Sequence, residues 1–295
     1  MGFTSGSKVP ADLIDEIADG LIATSSYWND GDTTWDTSDR TESNARRCLK
    51  YTGDSDDIWI ALEVVNENIY VGNYARGIRL SYSASWDEVN HAMPDDAYHT
   101  FCIIYAEHEG VHADLSTTMI TYYLWMDSSG FALMGKPEPV SGDNYQNSFI
   151  IVTEHMGTKE YTDGLTNFYT FMVMNHFRDN EETNYKPFMM TRPFVYQGYD
   201  MGDGIMFWRD SIKDMNAMKS TGNGKVYYVK PVICNSTDNM TPIYQSEMFW
   251  KYVPKTGLVD GDVVAVDGET TKYLCKALTS PTSTYTLYYA IKYVA

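Results

Sequence analysis

Between Thr256 and Tyr293 the chain is a series of short β-forming runs cut apart by turns, and this pattern constrains the fold more than any motif does. Val263-Val264-Ala265-Val266, Lys272-Tyr273-Leu274-Cys275 and Tyr285-Thr286-Leu287-Tyr288-Tyr289-Ala290-Ile291-Lys292-Tyr293 are rich in β-branched and aromatic residues. Turns containing Gly, Pro and Ser separate them. Such a unit offers sheet surface and almost no chemistry. The sequence given ends on this strand, with no polar tail, which suggests a part in building rather than in catalysis. At an open edge, Tyr285 to Tyr293 is the expected assembly surface. Paired inside its own sheet, it caps the fold.

The same signal recurs upstream. Ile58 to Val65, Gly77 to Ser83 and Thr100 to Tyr105 read as strands. Met119 to Met126 and Phe131 to Met134 flank Asp127-Ser128-Ser129-Gly130, a hairpin turn. Ser148 to Thr153, Asn167 to Met174 and Lys225 to Cys234 continue the pattern. One helix is predicted, from Pro10 to about Ser25. Pro10 suits a first turn, and Leu13, Ile14, Ile17, Ala18, Leu21 and Ile22 form one apolar face. That face packs on the chain's own sheet or docks on a neighbouring subunit. The fold class is therefore mainly β: two or three sandwich-like sheet units, one N-terminal helix and long aromatic-rich loops.

Pro137 and Pro139 break a strand ladder and suggest a boundary. The expected division is 1–136, helix plus β domain; 137–223, a middle β and loop domain; 224–295, a small β module. A hydrophobic share of 43% supports a packed core. The net charge of -18 disfavours nucleic acid and anionic membranes, and by itself names no cationic partner. The 4 cysteines form no CxxC pair and read as reduced structural thiols. No signal peptide or membrane span is apparent, so no membrane insertion is expected.

His108-Glu109-Gly110-Val111-His112 matches HExxH, which on a helix places two imidazoles on one face with Glu109 as general base. Its surroundings favour a loop or strand edge instead. Phe101 to Tyr105 before it and Met119 to Tyr122 after it are strand formers, and Gly110 weakens a helix. His108, Glu109 and His112 thus define a zinc peptidase alternative, and no metal or cofactor is expected. Asp30, Asp32 and Asp36 read as a solvated loop rather than a calcium site.

Three segments are similar to virion proteins of tailed bacteriophages. They are Pro10-Ala11-Asp12-Leu13-Ile14-Asp15 to Leu21 with the following Trp28, the hairpin Tyr122-Tyr123-Leu124-Trp125-Met126-Asp127-Ser128-Ser129-Gly130-Phe131, and the closing unit Gly261-Asp262-Val263-Val264 with Tyr289-Ala290-Ile291-Lys292. The resemblance implies a structural role and carries no catalytic residues over. The expectation is a non-enzymatic tail, baseplate or fibre-attachment component, assembled in the host cytoplasm and located in the virion. Its partners are other virion proteins in a symmetric homo-oligomeric setting. The expected contact residues are Leu13, Ile17, Leu21, Tyr196, Tyr199, Met206, Phe207 and Trp208. The alternative is a receptor- or glycan-binding module at the particle tip, where Trp and Tyr stack on sugar rings.

Overall fold

The computed structural model describes residues 2–34, 45–54, 56–65, 75–95, 97–106, 114–139, 145–157, 168–174, 188–192, 205–207, 228–229, 232–235, 241–252, 258–265, 270–279 and 286–294. The chain opens on β1 (Gly2–Lys8), the helix α1 (Pro10–Thr24) and β2 (Trp28–Asp30). There follow β3 (Arg46–Tyr51), β4 (Ile58–Val65), β5 (Ala75–Ser83), β6 (Tyr98–Ala106), β7 (Ile120–Asp127) and β8 (Gly130–Pro137). Next come β9 (Tyr145–Gln146), β10 (Phe149–His155), β11 (Phe168–Met174), β12 (Phe188–Arg192) and β13 (Ile205–Phe207). The remainder is β14 (Tyr228–Val229), β15 (Val232–Asn235), β16 (Thr241–Gln245), β17 (Phe249–Tyr252), β18 (Val263–Ala265), β19 (Lys272–Thr279) and β20 (Thr286–Val294).

All described pairings are antiparallel. They build two six-stranded sheets, β1-β7-β8-β10-β11-β12 and β2-β3-β4-β5-β6-β9, with a five-stranded sheet β14-β17-β20-β19-β18 and a three-stranded sheet β13-β15-β16. The protein is mainly β with one helix among the described residues, as the turn-punctuated sequence requires.

The first sheet is the middle of three layers. On one face Leu124, Leu133, Ile151 and Met172 meet Ile60, Leu62, Ile78 and Leu80 of the second sheet, with α1 wedged beside them. On the other, Trp125, Ala132, Met134, Ile150 and Val152 meet Phe249, Leu278, Leu287, Tyr289 and Ile291 of the five-stranded sheet. Side chains alternate along a strand, so a strand covered on both faces must be apolar throughout. Phe149-Ile150-Ile151-Val152 and Phe131-Ala132-Leu133-Met134 are such runs, buried at every position.

The helix matches its sequence signal, with Leu13, Ile14, Ile17, Ala18 and Leu21 buried. The hairpin forms as predicted, Asp127 pairing with Gly130 across two residues. Gly130 sits at φ +151°, where a Cβ would run into the Thr153 carbonyl. Only glycine closes the turn without strain.

Two expectations about organisation are corrected. The boundary after residue 136 falls inside one sheet, because β8 pairs with β10 along most of its length. Pro137 ends a strand and not a domain: it closes β8 opposite Ile120 at a pair that exchanges no N–H bond, the next bond to β7 running from Glu138 N–H to the Met119 carbonyl at 2.9 Å. The boundary at 223 is also crossed, since β13 pairs with β15. The strand near Tyr285–Tyr293 proves central: β20 lies between β17 and β19, so it caps the fold and is no edge.

Candidate functional site

The expected contact residues divide into three groups. Leu13, Ile17 and Leu21 are buried at 0%, 1% and 1% in the chain's own core, so the helix face is spent internally and does not dock a neighbour. Met206 and Phe207 lie on β13. Tyr196, Tyr199 and Trp208 lie outside the described residues, as do His108, Glu109 and His112. Among the described residues, no group of three or more His, Cys, Asp or Glu is placed to hold a metal.

The feature that sequence reasoning missed is β1. Gly2-Phe3-Thr4-Ser5-Gly6-Ser7-Lys8 contains two glycines and three hydroxyl residues, a weak strand signal. It is held by its partner: all seven residues pair with β7, from Gly2 opposite Met126 to Lys8 opposite Ile120. Among the described residues it is the outermost strand of the first sheet, and Ser5, Gly6 and Ser7 are exposed.

The direction of its main-chain groups follows from the hairpin. A two-residue turn makes Asp127 and Gly130 a hydrogen-bonded pair, so the odd-numbered residues of β7 bond to β8 and the even-numbered ones to β1. Their partners Gly2, Thr4, Gly6 and Lys8 point inward. The N–H and C=O of Phe3, Ser5 and Ser7 therefore face away from the sheet.

Above this edge runs α1. A groove of ≈ 680 Å³ separates strand from helix, lined by Thr4 and Lys8 on one side and Asp12, Asp15, Glu16 and Asp19 on the other. Glu16 fastens the two. It takes hydrogen bonds from Thr4 Oγ1 at 3.0 Å and Tyr122 Oη at 2.5 Å, and pairs with Lys8 Nζ at 2.8 Å. Burial alone raises a carboxyl, but the bonds from Lys8, Tyr122 and Thr4 outweigh it and hold Glu16 below its ordinary pKa. On the far side Arg47 of β3 bridges Asp15 at 3.0 Å and Asp19 at 2.8 Å. Burial lowers its guanidinium, and the two carboxylates more than restore it. On the opposite face of β1, beside Ser5 and Ser7, Phe3 packs edge-on to Tyr293 at 4.8 Å, and Tyr293 remains 37% exposed.

Three polar clusters stand out, one joining loops of the second sheet and two bridging it to the first. Asp32, expected in a solvated loop, is buried and accepts from Trp86 Nε1 at 2.9 Å, His91 Nδ1 at 2.7 Å and Thr34 Oγ1 at 2.9 Å. His91 has φ +51°, a left-handed backbone held by this contact. His155 Nε2 lies 2.9 Å from Asp54, and Gly157 N–H donates to Nδ1 at 3.1 Å, which places the ring proton on Nε2. Tyr82 reaches from the second sheet to Thr153 at 2.9 Å and to Thr170. Burial pushes the Tyr82 hydroxyl up to about 12.

Cys48, Cys102 and Cys275 are buried free thiols, and burial raises each above the ordinary value. No helix among the described residues is long and apolar enough to cross a membrane. Comparison with protein-family models, with curated proteins and with solved structures returned no match.

Proposed function

We propose that this chain is a structural protein of a tailed phage or phage-like particle, a component of the tail, baseplate or fibre attachment. The observation that carries the reading is the edge of β1, which no strand among the described residues covers. Folded proteins blunt their edge strands with charges, prolines, bulges or very short length. β1 is seven residues long and carries none of these along Phe3 to Ser7. An edge kept regular in this way is suited to pairing with another chain. The second support is the likeness of the helix, hairpin and closing segments to virion proteins. The edge acts through protein–protein assembly, with other virion proteins as partners, and the chain is assembled in the host cytoplasm.

Quantitative mass spectrometry of purified particles tests this. A fixed copy number per particle is expected. A chain abundant in the lysate and missing from the particles contradicts the proposal.

A second reading, sugar binding, is favoured by one crevice of ≈ 760 Å³ lined by Trp86, Asp87, Asn90 and Asp95 among others. A half-buried indole beside carboxylate and amide groups suits a sugar ring and its hydroxyls. Glycan-array binding kept in Trp86→Phe and lost in Trp86→Ala supports it. No binding by the parent protein removes it.

A further inference from the structure

We infer that the open edge of β1 takes up an extended segment of a different, basic protein, in which lysines or arginines alternate with apolar residues. The inference rests on the assembly reading and adds the chemistry of the occupant.

Phe3, Ser5 and Ser7 present outward N–H and C=O groups, so an added strand gains a regular ladder there. Its side chains must alternate between two different surroundings. Residues set opposite Phe3, Ser5 and Ser7 lie on the face of Phe3 and Tyr293, where Lys276 and Lys292 already sit over the Tyr123 and Trp125 rings, so apolar side chains suit it and further cations do not. Residues set opposite Thr4 and Gly6 lie on the helix face, under the carboxylates of Asp12, Asp15, Glu16 and Asp19. Those four acids outnumber the neighbouring cations Lys8 and Arg47, so the groove stays net negative. A cation entering it is attracted and an acid repelled.

The same charges disfavour a second copy as the occupant. The β1 of another copy brings one charged side chain, Lys8, which is already paired with its own Glu16 at 2.8 Å. It also brings a second row of helix acids and a chain of net charge -18.

The test uses the full chain and a fluorescein-labelled peptide, Lys-Val-Lys-Tyr-Lys-Val-Lys. Two controls accompany it: one with Glu in place of every Lys, and one of the same composition with the lysines grouped together. Fluorescence anisotropy should show saturable binding of the alternating peptide alone, weakening as salt is raised. Ser5→Pro removes an outward N–H at an exposed edge position that accepts proline. Asp12→Lys with Asp19→Lys reverses the groove. Each variant should weaken binding at least about tenfold; Ser5→Pro should keep the parent's melting temperature, and the double variant, which loses the Asp19–Arg47 bridge, should still melt in one cooperative transition. Equal binding of the grouped-lysine or glutamate peptide overturns the inference, as does full affinity in Ser5→Pro. A concentration-dependent dimer that Ser5→Pro converts to monomer also overturns it, because the occupant is then a second copy. The two proposals fail separately. A particle that contains the chain but a peptide that does not bind removes only the occupant. Peptide binding by a chain missing from the particle removes only the virion role.

Discussion

Asp32 shows how a residue's role depends on what folds around it. From sequence it is one more acid in Asn29-Asp30-Gly31-Asp32, a stretch that reads as solvated loop. In the fold its carboxylate is buried and shared by Trp86, His91 and Thr34, which lie up to 59 positions away. No local pattern encodes that distance. Burial raises Asp32, but the hydrogen bonds of His91, Trp86 and Thr34 outweigh it, so the folded value lies below the ordinary one. Glu16 behaves alike. A carboxyl whose folded value is depressed contributes stability that is complete above its unfolded value, about 4. That contribution is lost as pH falls through the folded value. Thermal unfolding followed against pH should therefore show an acid limb below about pH 4, shallower in Asp32→Asn. An unchanged limb in that variant contradicts the assignment. Asp32→Ala removes an acceptor of four donors, the Thr34 N–H and hydroxyl, Trp86 and His91, and should cost about 1–3 kcal/mol by denaturant titration.

At the scale of elements, legibility followed local signal strength. The helix was readable because apolar residues recur at its period and Pro10 marks its start. The hairpin was readable because Asp127-Ser128-Ser129-Gly130 separates two strong runs. Both depend on sequence neighbours. β1 was not readable, since Gly2, Ser5, Gly6 and Ser7 carry little strand preference and its conformation is imposed by β7. The candidate site is built on this least legible element. Gly130 gives a direct test of the hairpin. Gly130→Ala adds a Cβ against the Thr153 carbonyl at φ +151° and should destabilise by more than about 1 kcal/mol. Unchanged stability in that variant means the turn has another geometry.

At the scale of the whole molecule, the middle sheet joins what proline punctuation suggested were separate domains. Strand character in the runs 131–134 and 149–152 was legible. Their burial on both faces was the clue to three layers, and the proline pair at 137 and 139 masked it. Because β8 pairs with β10, a fragment of residues 1–136 lacks half of its central sheet and should not fold cooperatively. A sharp calorimetric transition in that fragment restores the boundary. Leu133→Ala and Ile150→Ala empty opposite layers, and each should cost about 2–5 kcal/mol.

The central claim is that β1 is an edge kept for pairing within an assembly. Hydrogen exchange of its amides tests this most directly. In the isolated chain the outward N–H groups of Phe3, Ser5 and Ser7 should exchange fast, while those of Thr4 and Gly6 are protected by β7. In assembled particles Phe3, Ser5 and Ser7 should become protected as well. Equal, fast exchange of these three amides in the chain and in the particle contradicts the account.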